Sequence, residues 1–159
     1  MGPSDRDAVT RLLGRVPSGA FFVGLRRADG QPAVIVNAPL LDDGTPMPTR
    51  FWLVDPDLRD AVSRLEAAGG VRQAEAAVAG DALAEAHARY AAARDRALPP
   101  DHTGPRPSGG VGGTRQGVKC LHAHLAWFLV GGDDPVGAWV AGQLDLDTGQ
   151  YVVVRRDGP

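Results

Sequence analysis

The sequence predicts an α+β domain in which a small three-stranded antiparallel meander is packed by five or six helices. Between residues 20–54, apolar side chains alternate with a period of two, and turn signals at 29–30 and 43–44 divide this run into three strands. From Asp55 onward the apolar spacing becomes helical. Consecutive strands joined by short turns pair antiparallel, so we expect a meander followed by helices.

A helix is expected before the meander. Ser4 is a suitable N-cap, because its hydroxyl can accept a hydrogen bond from an amide of the first turn. Val9 and Leu12 then fall on one helical face, and Gly14 with Pro17 ends the helix. The three predicted strands cover about 21–26, 33–37 and 50–54.

Helices account for most of the chain after the meander. Asp55 is a suitable N-cap, Pro56 suits the first helical position, and the glycines at 69–70 end this helix. Further helices are predicted at about 71–79, 82–97, 118–130 and 135–140, with Asp81 as the cap of the second of these and Asp134 as the cap of the last. The tail, 145–159, includes an alternating segment at 150–155, and the sequence leaves open whether that segment joins the sheet.

The composition is that of one globular domain, expected to span residues 1–159. The net charge of −2, from 17 basic and 19 acidic residues, gives no electrostatic footprint for nucleic acid or an anionic membrane. No apolar run approaches the roughly 20 residues of a membrane span, and the first residues lack the apolar core of a signal peptide. A single cysteine fits a reducing compartment. We therefore expect a cytoplasmic protein without nucleic-acid binding or membrane insertion.

Residues 99–117 form a long loop rich in glycine and proline. A stretch of this length without regular structure is usually either functional or disordered. It brings Gly112, Gly113 and Gly117 to the start of a predicted helix, where backbone N–H groups favour anions and glycine allows a close approach.

Basic residues at the same place support an anion site. Arg115 and Lys119 flank the last glycine, so the segment predicts binding of phosphate or another small anion. The pattern is not a P-loop, because Val118 intervenes before the lysine and Cys120 stands where a P-loop has serine or threonine. The alternative is a mobile loop whose basic residues serve only solubility.

Cys120, His122 and His124 are the candidate reactive side chains. On a helix, Cys120 and His124 lie one turn apart on the same face, while His122 lies on the other side. The sequence therefore predicts Cys120 and His124 as a catalytic pair, in which a nearby imidazolium lowers the thiol pKa. His122 is assigned to the ligand-binding set with the loop glycines and basic residues. The alternative is a buried thiol and a histidine that serves packing alone.

No metal site is predicted. Zinc needs more than two protein ligands, and nothing in the spacing of the remaining candidates selects any of them. Those candidates are His87, His102, Asp55, Asp133 and Asp134. Any cofactor is left unknown.

A family resemblance is carried by GGVGGTRQGVKCLHAHLAWFLVGGDDPVG, which spans Gly109–Gly137. This segment resembles the uncharacterised bacterial family DUF501, which has a KCLHxH core. Two upstream segments, DGTPMPTRFWLVDP and VSRLEAAGG, resemble the same family, so the resemblance covers about 9–140. The family is typical of actinobacteria and has no assigned activity. Many of its members carry a cysteine pair in the first hairpin and another cysteine before the proline that follows strand three. This chain has Arg27, Ala28 and Asp29, and then Asp55, at those places, so a metal site built there is not expected.

Two functions are left open. The first is binding of a small anionic or phosphorylated metabolite, with a catalytic role for the cysteine, at the Gly-rich loop and the KCLHAH segment. The alternative is a non-catalytic accessory or protein-interaction module linked to cell division or the envelope. That alternative rests on the gene neighbours typical of the resembling family, among them those for enolase and a septum-formation initiator.

Overall fold

The computed structural model describes residues 4–154, which form an α+β fold. Its helices are α1 (Asp5–Leu13), α2 (Pro56–Ala67), α3 (Gly70–Ala77), α4 (Gly80–Asp95), α5 (Leu121–Leu129) and α6 (Pro135–Gln143). Its strands are β1 (Phe21–Arg27), β2 (Pro32–Asn37), β3 (Phe51–Leu53) and β4 (Tyr151–Val153), and short 3-10 turns cover Val111–Gly113 and Thr148–Gln150. The α+β class is confirmed, as is the expectation of five or six helices packed on a small antiparallel sheet.

The sheet has four strands rather than the three predicted. Its order is β3-β2-β1-β4, and every neighbouring pair is antiparallel. The extra strand, β4, pairs with the outer edge of β1, with Leu25 opposite Val153 and Arg27 opposite Tyr151. One edge of β1 therefore pairs with β2, and the other edge pairs with β4 from the C-terminal tail. The predicted strand character from residue 155 onward lies outside the described residues.

Three helix starts follow the caps predicted from the sequence, whereas Asp81 does not cap α4, whose N-cap residue is Ala79. Ser4 accepts a hydrogen bond from the amide of Asp7 at the start of α1, and Asp55 accepts one from Asp57 at the start of α2. Asp134 does the same for α6, where its side chain accepts from two backbone amides. Each of these interactions is local, which is why the residue type alone predicts it.

The core lies between one face of the sheet and helices α2, α5 and α6. Its buried members include Leu25, Val34, Leu58, Leu121 and Leu125. A second cluster joins α4 to α5 through Tyr90 and Trp127, whose rings meet edge to face with centroids 5.2 Å apart. Helix α5 is therefore surrounded by other elements and packs against α2, α6 and β3.

The Gly-rich loop is fastened to α4 by a buried arginine. Arg94 is only 1% exposed, and its Nη1 donates to the carbonyl oxygens of Pro48, Ser108 and Gly109 at 3.2, 3.4 and 3.0 Å. Burying a guanidinium costs free energy unless its N–H groups have acceptors. The three carbonyl oxygens accept hydrogen bonds from Arg94 and so fasten the loop to α4. None of the helices within residues 4–154 is long and apolar enough to cross a membrane.

Candidate functional site

Helix α5 begins at Leu121, three residues later than the apolar pattern predicts. Cys120 is the N-cap residue and has extended backbone angles, with φ −145° and ψ 114°. The amide of Leu121 donates to Oε2 of Glu66 at 2.9 Å, and the amide of Val118 donates to Oε1 of Glu75, also at 2.9 Å. Carboxylates from α2 and α3 thus satisfy two amides at and just before the start of α5, where a helix leaves its first N–H groups without an internal partner.

The late helix start changes the partner of the thiol. Sγ of Cys120 lies 3.8 Å from Nδ1 of His122, whereas His124 is completely buried with its Nδ1 2.6 Å from Oδ2 of Asp134. The predicted pairing of Cys120 with His124 on one helical face is therefore wrong, and so is the placing of His122 on the opposite side. An extended N-cap residue does not follow the 100° step of a helix, so the i, i+4 rule does not apply to it.

Glu66 completes a cluster with the thiol and the imidazole. Its Oε1 lies 3.2 Å from Nδ1 of His122, while its Oε2 accepts from the amide of Leu121. The other ring nitrogen of His122, Nε2, lies 3.1 Å from Oγ of Ser63 and 3.3 Å from the carbonyl oxygen of Arg59. Every polar atom of the imidazole therefore has a partner, and the ring is fixed between α2 and α5.

Two members of the cluster, Cys120 and His122, line a cleft of about 420 Å³, named here the Cys120 cleft. Its lining residues are Leu13, Arg15, Thr49, Phe51, Trp52, Leu53, Arg59, Ser63, Gly112, Cys120, His122 and Ala123. The guanidinium of Arg15 lies over the ring of Trp52, 5.1 Å from its centroid, and Nη1 of Arg59 donates to the carbonyl oxygen of Leu12 at 3.1 Å. A volume of this size accommodates a small metabolite, and the two arginines give one side of it positive charge.

The neighbours of the thiol change its acidity. Burial raises the pKa of Cys120, but the hydrogen bond from His122, the amide of Ala123 and the charge of His122 together outweigh it, and the pKa is lowered overall. The contact with Cys120 raises the pKa of His122; burial acts against this, and the charge of Glu66 adds to it. Both shifts favour a thiolate beside an imidazolium.

Of the predicted ligand-binding residues, the structure brings Gly112 and His122 into the Cys120 cleft and leaves the others outside its lining. Arg115 and Lys119 are exposed. Gly117 instead contacts α3 and α4: its carbonyl accepts from His87, and a Cβ on it would lie 2.8 Å from Oε1 of Glu75. The remaining member, Gly113, has a positive φ of 82° and lies next to Pro48.

The predicted anion nest does not form as expected. The amides of Val118 and Leu121 already donate to the carboxylates of Glu75 and Glu66, and the amide of Val111 donates to Nδ1 of His87 at 3.0 Å. Protein side chains therefore occupy amides that an external anion would need. The positive charge near the thiol comes from Arg15 and Arg59 instead.

Sequence reasoning missed Arg59, Ser63 and Glu66, which form one polar stripe on α2. Their spacing of four and then three residues places them on the same helical face. That spacing is a usable signal, but nothing local shows that this face meets the start of α5. Arg15 and Trp52, on separate elements, carry no sequence signal of their own.

The positions at which the family resemblance places extra cysteines lie close together in the fold. Arg27 forms ion pairs with Asp29 and Asp55, at 3.7 and 3.3 Å, and also with Asp57. None of these residues lines the Cys120 cleft. In this chain an ion-pair cluster therefore occupies those positions.

A family model described as a protein of unknown function, DUF501, matches residues 23–142. The matched region contains β1 from Val23 onward, helices α2 and α5 and the whole KCLHAH segment. Neither a curated protein nor a solved structure matches the chain.

Proposed function

The chain belongs to the DUF501 family, a family of unknown function, and from this premise we propose that it binds a small anionic metabolite in the Cys120 cleft and that Cys120 is the reactive group there. One observation carries the proposal: a thiol and an imidazole line a cleft together with two arginines, and the carboxylate of Glu66 contacts the imidazole. Structural cysteines and histidines do not need a cleft, whereas a reactive site does.

The anionic character of the ligand follows from Arg15 and Arg59. A guanidinium recognises carboxylate or phosphate through paired N–H donors, and it keeps its charge at every physiological pH. The hydrogen bond from Arg59 to Leu12 and the stacking of Arg15 on Trp52 hold both groups in place before a ligand arrives. Pre-organised groups lose less conformational entropy on binding, which favours affinity.

The reactive role of Cys120 follows from its neighbours. Nδ1 of His122 lies within reach of the thiol, and Ser63 with the carbonyl oxygen of Arg59 holds Nε2 on the other side of the ring. A nucleophile, a base and a group that orients the base are the three parts of cysteine-dependent catalysis. A thiol that reacts in this way persists in a reducing compartment, so the proposal also places the protein in the cytoplasm.

The proposal is tested by comparing the alkylation rates of Cys120 with iodoacetate and with iodoacetamide in metal-free protein. The ratio of the two rates does not depend on the thiolate fraction, so it reports the local potential alone. We expect iodoacetate to be favoured relative to a small reference thiol. Arg15→Gln and Arg59→Gln should each lower the ratio about two- to fivefold, the effect of one nearby charge in a high dielectric.

Arg64→Gln is the matched control, because Arg64 is an exposed residue of the same helix α2 and does not line the cleft. It should leave the ratio unchanged. If the wild-type ratio equals that of the reference thiol, or if all three arginine variants change it equally, the cleft does not attract anions. A thiol that reacts with neither reagent until the protein unfolds would remove Cys120 from the proposal.

A further inference from the structure

Three atoms that can each ligate a metal face one another at the start of α5. Nδ1 of His122 lies 3.2 Å from Oε1 of Glu66 and 3.8 Å from Sγ of Cys120, and the three atoms all lie within 4.8 Å of one another. A carboxylate and a thiolate carry negative charge, and neither has a hydrogen to donate. Such an arrangement needs either a hydrogen on Nδ1 or on the sulfur, or a metal ion between the three atoms.

The contacts of His122 provide an acceptor for a hydrogen on Nε2. Nε2 lies 3.3 Å from the carbonyl oxygen of Arg59, and a carbonyl can only accept. In the tautomer in which Nε2 donates to this carbonyl, the lone pair of Nδ1 points toward Glu66 and Cys120. Metal-binding histidines almost always donate their second N–H to a carbonyl or carboxylate in this way.

Glu66 is oriented in the same manner. Its Oε2 accepts from the amide of Leu121 at 2.9 Å, which leaves Oε1 on the side of the cluster. A carboxylate with one oxygen held by the backbone and the other directed at its neighbours is a suitable single-oxygen ligand. The backbone of α5 and the carbonyl of α2 thus hold two of the three donor atoms in position.

The distances agree with tetrahedral coordination. Zinc binds sulfur at about 2.3 Å and nitrogen or oxygen at about 2.0–2.1 Å, so tetrahedral ligand atoms lie about 3.3–3.6 Å apart. The observed separations of 3.2 Å and 3.8 Å bracket these values. The third separation, between Sγ and Oε1, is within 4.8 Å, so the sulfur must move closer to the carboxylate when a metal binds.

We propose that Glu66, Cys120 and His122 bind one thiophilic divalent cation of the Zn²⁺ type, with a fourth coordination position open to the Cys120 cleft. Three protein ligands and one open position are typical of reactive zinc sites, whereas structural sites use four protein ligands. Both Cys120 and His122 line the cleft, so a water molecule or an anionic ligand can reach the fourth position. When the metal is bound, the thiolate is a ligand and is no longer free to act as a nucleophile.

The test uses the full chain, freed of metal with a chelator and then titrated with Co²⁺ and Zn²⁺. Co²⁺ reports its own ligands, because a cobalt–thiolate bond gives a charge-transfer absorption that oxygen and nitrogen ligands do not. We expect one Co²⁺ per chain with this absorption, displacement of Co²⁺ by Zn²⁺, and protection of Cys120 from alkylation by either metal.

Substitutions identify the ligands. Cys120→Ser should abolish the charge-transfer absorption, and His122→Ala and Glu66→Gln should each weaken Co²⁺ binding by at least about tenfold. Glu66→Gln keeps an oxygen that accepts from Leu121, so the fold is retained while the charge is lost. His102→Ala is the matched histidine control, because His102 lies in the Gly-rich loop outside the cleft lining, and it should bind Co²⁺ as the wild type does.

Three results would overturn the metal site: no binding at micromolar metal, binding without the thiolate absorption, or binding that Cys120→Ser does not affect. In those cases a hydrogen on Nδ1 or on the sulfur lies between the three atoms. The proposal that the Cys120 cleft binds anions is tested independently of the metal site, because the ratio of the iodoacetate and iodoacetamide rates is measured on the metal-free chain.

Discussion

His124 donates a hydrogen bond from Nδ1 to Oδ2 of Asp134 at 2.6 Å, and both side chains are completely buried. The other oxygen of Asp134, Oδ1, accepts from the amides of Val136 and Gly137 at 2.9 and 3.1 Å. One carboxylate therefore joins the middle of α5 to the first turn of α6. This contact explains why His124 is unavailable to the thiol.

Asp134→Ala should lower the free energy of unfolding by about 2–4 kcal/mol, because it removes a helix cap worth about 1 kcal/mol and a buried hydrogen bond to a charged group worth about 1.5–3 kcal/mol. Urea denaturation measures the change. Asp134→Asn should lose less, since asparagine is an equally good N-cap. An alanine variant as stable as the wild type would show that the buried pair contributes nothing.

Gly137→Ala should destabilise the packing of α6 against α5. A Cβ at this position would lie 2.5 Å from the carbonyl oxygen of His124 and 2.4 Å from Cβ of Phe128, so the helices must move apart. Such overpacking costs about 1–3 kcal/mol, measured as a change in the free energy of unfolding. Gly142→Ala on the same helix is the control: nothing lies within 4 Å of its Cβ, so a gain of up to about 1 kcal/mol is expected.

The alkylation rate of Cys120 should rise with pH along a curve whose midpoint lies below that of the same thiol in the unfolded chain. The pKa of Cys120 is lowered, because the effects of His122 and the amide of Ala123 exceed that of burial, so the thiolate is present at lower pH than in an unfolded chain. Iodoacetamide labelling of the metal-free protein between pH 5 and 10, about the range over which such groups titrate, measures the midpoint.

His122→Ala removes the main group that lowers this pKa, so the midpoint should move upward. His102→Ala should leave the midpoint in place, since His102 contacts the carbonyl of Pro105 rather than the thiol. This assignment reverses the expectation from the sequence, in which His124 controlled the thiol. Equal midpoints in His122→Ala and the wild type would contradict it.

Hydrogen exchange should divide the Gly-rich loop into two parts. The sequence predicts fast exchange over all of 99–117, but the amide of Val111 donates to the buried His87 and the amide of Val118 donates to Glu75. We expect fast exchange in the residues before Ser108 and slower exchange at Val111 and Val118. Mass spectrometry of peptides or NMR measures the difference.

Arg94→Met should remove this protection from the second part of the loop, because the carbonyl oxygens of Ser108 and Gly109 lose their buried donor. The buried alkyl stem is preserved in methionine, which limits the loss of packing. Uniform exchange along the loop in the wild type, or protection unchanged in the variant, would show that Arg94 does not hold the loop.

Local sequence signals predicted the parts of the fold that depend on local contacts. Ser4, Asp55 and Asp134 cap the helices they were expected to cap, because each accepts from an amide two or three residues away. The start of α5 could not be predicted in this way. Its amides bind Glu66 and Glu75, which are 55 and 43 residues distant in the chain, and an apolar pattern contains no information about such partners.

The same limit applies to the candidate site. The KCLHAH segment identified Cys120 and a histidine, but the choice between His122 and His124 depends on where the helix begins. The third member, Glu66, comes from α2 and is brought to the thiol only by tertiary packing. The apolar residues of α5 drive that packing, and their pattern in the sequence does not show which polar side chains the packing will bring together.

The pairing of β1 with β4 has a consequence for the order of folding. Leu25 and Val153 are about 130 residues apart, whereas β1 and β2 are joined by a tight turn, so closing the outer edge of the sheet costs far more chain entropy and comes later. During synthesis, β1 is therefore exposed along one edge until β4 has been translated. The irregular register of β1 near Val23 and Leu25 and its charged Arg26 disfavour pairing with another chain. These features protect the nascent chain from aggregation for as long as that edge stays open.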